Sequence, residues 1–242
     1  QNEYDIKRKI GIVPQELAVF ENLNVRENID YFCSLYVSDK NERKRLVNEA
    51  IEFTGLQGYE KMLQKKLSGG LKRRLNIACG ISHKPELIIL DEPTVAVDAQ
   101  SRKFMLDGIK TLSQNGASIL YTTHYLDEAE YLCNKLSIMD NGKNILTGDM
   151  QTLINGVSVK EKITVVGFIK PEIISILEKQ DEVIDVEAKE NQVTFNYSSD
   201  TGNIKKLIHL LDENNVVYEE IFSKKPKLED IFLEMTGKEL RE

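Results

Sequence analysis

The apolar run at residues 87–90 ends directly in two carboxylates, Asp91 and Glu92, which are followed by Pro93. A short apolar run of this kind is typical of a strand buried on both faces of a parallel sheet. Ligands bind at the carboxyl ends of such strands. The run therefore predicts an α/β fold in which Asp91 and Glu92 emerge side by side at a site suited to Mg²⁺ and nucleotide phosphates. A turn that merely ends a buried strand is the alternative.

A second motif, Ser68-Gly69-Gly70, lies upstream of that strand at the predicted start of a helix. The N-terminus of a helix presents backbone N–H groups and favours negative charge. Two glycines allow a ligand to approach the backbone closely. The turn is therefore predicted to bind an anion such as a phosphate. The alternative interpretation is an ordinary glycine turn between two helices.

Hydrophobic periodicity and capping residues predict alternating strands and helices in the first part of the chain. Asn24 and Glu27 have the spacing of a capping box and predict a helix that runs to about Tyr36. Further helices are predicted over residues 42–53, after Gly70 and over 101–113, and strands over 9–13, 87–90 and 118–122. Strand, helix and strand between residues 87 and 122 form a βαβ unit, which implies parallel pairing.

The pattern changes after residue 156, beyond a hairpin around Asn141-Gly142 and a joint at residues 147–156. The elements that follow are predicted as strand 163–168, helix 171–179, strands 183–188 and 192–197, helix 202–213 and strand 216–222. This βαββαβ order is the ferredoxin-like arrangement. We therefore predict two domains: residues 1–156, with a helical subdomain at about 24–82, and residues 157–242, with a last helix at 227–236.

Composition excludes several classes of protein. No stretch approaches about 18 uninterrupted apolar residues, so no transmembrane helix is predicted. Cys33, Cys79 and Cys133 are too few and too scattered for a disulfide framework or a zinc site. The net charge of −7 is concentrated after residue 156, where 12 basic residues accompany 18 acidic ones, against 20 and 21 before it. This distribution gives no electrostatic footprint for nucleic acid.

Taken together, the Ser-Gly-Gly turn and the strand that ends in Asp-Glu resemble, in this order and spacing, the ATPase domain of ABC transporters. The resemblance covers essentially the whole chain. It implies a P-loop NTPase-like parallel sheet core, in which Asp91 holds Mg²⁺ and Glu92 is the general base. The Ser68-Gly69-Gly70 turn matches the signature motif, which binds the γ-phosphate held by the opposite subunit. Leu71 stands where many members have glutamine.

Three further residues match motifs of the same family. Gln15 matches the Q-loop, whose amide touches Mg²⁺ and the attacking water and couples ATP to the membrane partner. Asp98 matches the D-loop aspartate, with Val97 in place of the commoner leucine, and His124 matches the switch histidine that donates to the γ-phosphate. The plain alternatives are a surface glutamine, a helix cap and a structural histidine.

The resemblance implies a subunit that binds ATP and Mg²⁺, hydrolyses ATP and energises a transmembrane exporter. The run at 226–237 is similar to the ending of subunits from ABC-2-type exporters, which move drugs, ions or polysaccharides. The implied partners are a separate permease and a second ATPase subunit, identical or different. The implied location is peripheral, on the cytoplasmic face of the cell membrane. Residues 17–23 keep Phe20 and Leu23 in a loop that would suit docking of the permease.

Two other functions remain as alternatives. The 242 residues contain no G-x-x-x-x-G-K-[ST] phosphate loop, which the family carries upstream of the position of Gln1. The chain is therefore expected to be truncated at its N-terminus and, taken alone, to be an inactive fragment. A soluble, non-transport ABC ATPase is the less favoured alternative. Chromosome-type members place a long coiled coil between the Q-loop and the signature, whereas Gln15 and Ser68 are 53 residues apart.

Overall fold

The computed structural model describes residues 3–237, and the chain divides into two compact units, Gln1–Cys133 and Asn134–Glu242. The helices of the first unit are α1 (Glu3–Lys7), α2 (Val25–Ser34), α3 (Lys40–Phe53), α4 (Gly69–Ile81), α5 (Ala99–Gln114) and α6 (Leu126–Leu132). Its strands are β1 (Ile10–Val13), β2 (Leu87–Asp91) and β3 (Ser118–Thr122), and a 3-10 turn covers Gln64–Lys66. Among residues 3–237, no helix is long and apolar enough to cross a membrane.

The strands of the first unit form one parallel sheet in the order β1-β2-β3, which confirms the predicted α/β core. Val13 pairs with Leu90, and Leu90 pairs with Tyr121, so the strands end almost level. Ile88 and Leu90 are buried in one apolar cluster with Met105 of α5. The apolar run is therefore the inner strand, and its carboxyl end lies at the same edge of the sheet as the ends of its two neighbours.

The helices α2, α3 and α4 lie between β1 and β2 in the chain and share one buried apolar core. That core includes Val25, Ile29, Cys33, Leu46, Val47, Ala50, Ile51, Leu56, Leu75 and Ala78. Asn24 caps α2 in the predicted capping box, because its side chain accepts from the Glu27 N–H while the Glu27 carboxylate accepts from the Asn24 N–H, both at 2.9 Å. The three predicted helices of this region are confirmed.

Two short helices of the first unit, α1 and α6, are missing from the sequence prediction. They contain five and seven residues. A helix of two turns or fewer shows too few apolar repeats for a period to be recognised. For α6 the omission matters, because this helix directly follows His124 and carries the buried side chain of Glu128.

The second unit begins with the predicted hairpin, β4 (Leu136–Asp140) and β5 (Lys143–Gly148), which is followed by α7 (Met150–Asn155). The remaining elements are β6 (Glu161–Val166), α8 (Pro171–Leu177), β7 (Val183–Lys189), β8 (Gln192–Tyr197), α9 (Asn203–Glu213), β9 (Glu220–Lys224) and α10 (Leu228–Thr236). The larger sheet is antiparallel with the order β7-β8-β6-β9. This order confirms the ferredoxin-like arrangement.

The two compact units divide at residue 133, earlier than the domain boundary that the sequence places at 156. The predicted joint contains α7, which Asp149 caps by accepting from the Thr152 N–H. The helix α7 packs against α10, and the Ser158 N–H donates to Glu234 of α10. The hairpin and α7 therefore group with the C-terminal elements.

The last strand, β9, begins at Glu220, whereas the sequence places its start at residue 216. Val216 and Tyr218 pack against the apolar core of the second unit from a loop, while Val217 between them is exposed. Pairing with β6 starts only where Glu220 lies opposite Val166. The alternation of buried and exposed side chains thus extends beyond the paired residues, which explains the early start in the prediction.

The helix α4 packs closely on β1 because glycines occupy both sides of the contact. A Cβ atom added at Gly11 would lie 2.3 Å from the carbonyl oxygen of Gly80, and one added at Gly80 would lie 2.6 Å from a methyl group of Val13. Gly108 in α5 differs, because a Cβ atom there would meet the Phe53 ring at 3.5 Å, an ordinary contact. The glycine pair sets the distance between the helix and the strand that leads to Gln15.

We expect Gly11→Ala and Gly80→Ala each to lower the free energy of unfolding by about 1–3 kcal/mol, because the added methyl group overpacks the contact. Gly108→Ala is the matched control, and it should stabilise by up to about 1 kcal/mol through helix propensity. Urea unfolding of the three variants measures the difference. Equal effects of Gly80→Ala and Gly108→Ala would contradict the close approach.

Candidate active site

Three side chains meet at the carboxyl ends of the three parallel strands. Gln15 lies two residues beyond β1, Glu92 one residue beyond β2, and His124 two residues beyond β3. Gln15 Nε2 donates to Glu92 Oε2 at 2.9 Å. His124 Nδ1 lies 3.2 Å from the other carboxylate oxygen, Oε1. One carboxylate therefore joins the ends of all three strands.

The backbone turns sharply at Glu92, where φ is +42°. A left-handed conformation costs a residue with a side chain on the order of 1–3 kcal/mol, so surrounding contacts must impose it. The Glu92 N–H donates to the backbone oxygen of Thr122 at 3.1 Å and lies 3.2 Å from its hydroxyl. Because β2 ends at Asp91, this turn, and not the alternation of side chains along a strand, sets the direction of Glu92.

Asp91 and Gln15 provide the oxygen atoms that suit Mg²⁺. The Thr122 hydroxyl donates to Asp91 Oδ1 and orients this exposed carboxylate. Among residues 3–237, no group of three or more His, Cys, Asp or Glu side chains could hold a metal ion. Mg²⁺ commonly binds one or two carboxylates together with water and substrate phosphate. The donor set therefore fits an ion held jointly with a bound nucleotide rather than by the protein alone.

The Ser-Gly-Gly turn and Asp98 form a second group in the same unit. Ser68 is the N-cap of α4 and accepts from the Leu71 N–H at 3.4 Å. A Cβ atom added at Gly70 would lie 2.6 Å from the Ser101 hydroxyl and 3.2 Å from Asp98 Oδ2. Gly69 has more space, since the nearest atom to its added Cβ is the Ala96 oxygen at 3.9 Å. Anion binding by this turn stays a prediction.

Asp98 is the N-cap of α5, which agrees with the plain interpretation of this residue. Its Oδ1 accepts from the Ser101 N–H at 2.9 Å. Hydrogen bonds from the backbone N–H and the hydroxyl of Ser101 lower the pKa of Asp98 below its ordinary value. Ala96 just before it has a φ of +58°, so the loop between β2 and α5 contains a second left-handed residue after Glu92. A role of Asp98 in a nucleotide site stays a prediction.

Arg73 and Arg74 of α4 both use their guanidinium groups in contacts within the first unit. The Arg73 guanidinium donates to the backbone oxygen of Gln15, and burial lowers the pKa of Arg73. The Arg74 guanidinium stacks over the Phe104 ring at 4.1 Å. Both long side chains use their apolar stems and planar heads in packing. Arg73 thereby links α4 to the residue that contacts Glu92.

Glu128 is the buried carboxylate that the sequence analysis missed. It accepts hydrogen bonds from Thr94 and Tyr121, at 2.7 Å each, and from Arg102 at 2.6 Å. Burial, and then the hydrogen bond to this carboxylate, raise the pKa of Tyr121. The usable signal in the sequence is its position four residues after His124, in the first turn of the short helix α6.

The chain is similar to ATP-binding proteins of exporters over nearly its whole length. The profile of the family described as "ABC transporter" matches residues 1–95. The linearmycin resistance ATP-binding protein LnrL of Bacillus subtilis is 36% identical over 242 aligned positions, and the match covers 98% of this chain and 77% of that protein. The Nod factor export ATP-binding protein I of Sinorhizobium fredii is 29% identical, and the match covers 98% of this chain and 66% of that protein.

The fold is similar to that of solved ATP-binding cassettes. A dimeric cassette bound to ADP and Pi in a post-hydrolysis state matches with a TM-score of 0.55 at 20% identity, over 62% of this chain and 68% of that one. At this level of identity the likeness concerns the fold. It agrees with the parallel sheet and the helices of the first unit.

We expect Asp98→Ala to lower the melting temperature at neutral pH, while Asp98→Asn retains the cap. Because the pKa of Asp98 is lowered in the folded chain, its charged form stabilises fully above about pH 4–5, and this contribution disappears as the pH falls below about 4. The difference in melting temperature between wild type and Asp98→Ala should become smaller as the pH falls from about 5 to about 3. The gap between Asp98→Asn and Asp98→Ala should stay constant. A difference in melting temperature between wild type and Asp98→Ala that does not change with pH would refute the charged cap.

Proposed function

Because the chain belongs to the family of ATP-binding proteins of ABC transporters, we propose that it is an ATP-hydrolysing subunit that energises a transmembrane exporter. The observation that carries this proposal is the shared carboxylate of Glu92, which contacts Gln15 and His124. A carboxylate between an amide donor and an imidazole at the ends of parallel strands can receive a proton from water while its neighbours orient the reacting groups.

Each residue of the site has a separate task in this proposal. Glu92 accepts the proton of the water that attacks the γ-phosphate, and Gln15 orients that water through its amide. His124 donates to the γ-phosphate oxygen, where negative charge accumulates. Asp91 and Gln15 would hold Mg²⁺, and the bound ion would neutralise charge on the nucleotide phosphates. Each oxygen of Glu92 has one of the contacts to Gln15 and His124 and keeps a further lone pair, which can accept the proton of the attacking water.

A second ATPase subunit completes the proposed site. The Ser68-Gly69-Gly70 turn opens α4 with backbone N–H groups and a hydroxyl, which suit a phosphate oxygen of a neighbouring molecule. Asp98 lies against the same turn, so the two elements would reach that molecule together. The dimeric cassette with ADP and Pi supports this assembly by its fold. The partner subunit is identical or different.

The permease is the proposed membrane partner, and a cluster of exposed rings after Gln15 supports its docking. The Phe20 ring packs edge-on against Tyr31, with centroids 4.9 Å apart, and is stacked with Phe32 at 6.0 Å. Leu17, Phe20 and Tyr31 each keep more than a third of their surface exposed. An apolar cluster of this kind, in which Leu17 and Phe20 lie two and five residues after Gln15, suits an apolar segment of a partner protein.

The finer features of the proposal rest on the relatives. The names of the two relatives refer to linearmycin resistance and to Nod factor export. These names support a role in export, and the ABC-2 type, for a drug, an ion or a polysaccharide, is proposed from the resemblance of the run at 226–237. A peripheral location on the cytoplasmic face of the membrane is proposed from the same resemblance. A soluble ATPase without a transporter has no specific observation in its favour.

We expect these residues to hydrolyse ATP only when a phosphate loop is supplied. The test fuses the phosphate-loop strand and helix of a family member in frame before residue 1. Glu92→Gln should lower kcat by about 10²- to 10⁴-fold, because it removes the base while leaving the KM for ATP nearly unchanged. Glu86→Gln is the matched control, since Glu86 pairs with Lys9 just before the amino ends of β2 and β1, at the edge of the sheet away from Glu92.

The 242-residue chain without the added segment should show no turnover above background in the same assay. A fused chain that binds ATP and hydrolyses it equally well after Glu92→Gln would contradict the proposed base. A fused chain that folds and binds ATP without hydrolysing it would favour the inactive alternative.

We expect Phe20→Ala to weaken binding to the cognate permease in detergent by at least tenfold while ATP binding by the fused chain is unchanged. The reason is that truncation of an exposed aromatic anchor removes apolar contact area at an interface. Phe168→Ala, which removes a similarly exposed ring in the second unit, is the control. Equal affinity of the Phe20→Ala and wild-type chains would refute the docking cluster.

A further inference from the structure

We propose that Glu128 is a positioning residue that fixes Glu92 and His124 relative to each other by joining the loops that carry them. Glu128 lies on α6 and is fully buried. Its contacts reach the loop after Glu92, the turn at His124 and the first turns of α5. The relevance to ATP hydrolysis rests on the proposed function, whereas the geometric coupling of the two side chains does not.

The first connection runs to the loop that follows Glu92. Thr94 is buried, and its hydroxyl lies 2.7 Å from Glu128 Oε1 and 2.9 Å from Oε2. Thr94 is two residues beyond Glu92, whose left-handed backbone must be imposed by its surroundings. Anchoring Thr94 to a buried charge fixes the carboxyl side of that strained residue, while Thr122 fixes its amide side.

The second connection runs to the turn that contains His124. The Thr123 hydroxyl donates to Glu128 Oε2 at 3.1 Å and accepts from the Tyr125 N–H at 2.9 Å. This hydroxyl bridges the residues on either side of His124. The turn therefore keeps its shape only while the acceptor at Glu128 is in place.

The third connection acts through stacked side chains. The Arg102 guanidinium donates to Glu128 Oε1 at 2.6 Å and lies over the Tyr125 ring at 4.3 Å. The Tyr125 ring in turn packs against the His124 ring, with centroids 4.1 Å apart. Arg102, which Glu128 anchors, thus supports the His124 imidazole through the Tyr125 ring. The Glu128 carboxylate therefore anchors the two threonine hydroxyls and the arginine together.

The hydrogen bond from Tyr121 provides an internal control. Its hydroxyl donates to the same Glu128 carboxylate at 2.7 Å, but Tyr121 lies within β3, whose position sheet pairing already fixes. Loss of this bond removes one donor from the carboxylate without cutting either connection to the loops. Tyr121→Phe and Thr123→Val each delete one hydroxyl donor to Glu128, and they differ in whether a loop is released.

The test measures the coupling between Glu92 and His124 by NMR in the nucleotide-free 242-residue chain. The chain has three histidines, His83, His124 and His209, so the ring signals are few and His124→Gln assigns its own. Coupling is the change in the His124 ring chemical shift that Glu92→Gln produces. We expect this change to fall to less than half in the Glu128→Gln and Thr123→Val backgrounds, and to be unaffected in Tyr121→Phe.

Thermal unfolding identifies any background that is not folded, and if Glu128→Gln fails to fold, Thr123→Val decides the outcome. Full coupling in a folded Thr123→Val chain overturns the proposal, as does a loss in Tyr121→Phe that equals the loss in Thr123→Val. The measurement requires no ATP. Failure of the fused chain to hydrolyse ATP would therefore refute the proposed function and leave this coupling intact. Likewise, full coupling in a folded Thr123→Val chain would overturn the positioning role of Glu128 and leave the proposed function intact.

Discussion

The site depends on the parallel pairing of three strands, because only this pairing brings Gln15, Glu92 and His124 within reach of one another. The three residues are far apart in the chain, and each lies at most two residues beyond its strand. A slip of the register by one residue would move every side chain to the other face of the sheet. The close contact of α4 with β1, which needs Gly11 and Gly80, holds the first of these strands in place.

Strain at Glu92 connects the fold to the proposed chemistry. A left-handed glutamate directs its carboxylate toward Gln15 and His124 instead of continuing along the strand. Contacts on both sides of the residue, from Thr122 and through Thr94 to Glu128, supply the constraint that such a conformation requires. The cost of the strained backbone is therefore offset by hydrogen bonds that lie outside the reacting group, and those from Thr94 to Glu128 are buried.

Much of the fold could be predicted from the sequence, because strong local signals agreed with the tertiary structure. The apolar run before Asp91, the Asn24 capping box and the Asn141-Gly142 turn all identify elements that the structure contains. The clustering of the strand-end residues also followed from parallel pairing. Helix α6, the helix in the joint and the start of β9 could not be predicted, since short helices and unpaired apolar alternation carry ambiguous patterns.

The support of the site was harder to predict than its reacting groups. Glu128 and Arg73 act through contacts with residues distant in sequence, and a charged side chain in isolation is most often solvated. The most direct test of the central claim is a high-resolution crystal structure of the 242-residue chain. The account predicts Gln15 Nε2 and His124 Nδ1 within about 3.5 Å of separate oxygens of Glu92, with a positive φ at that residue. A Glu92 side chain that points away from both partners, on an extended backbone, would contradict it.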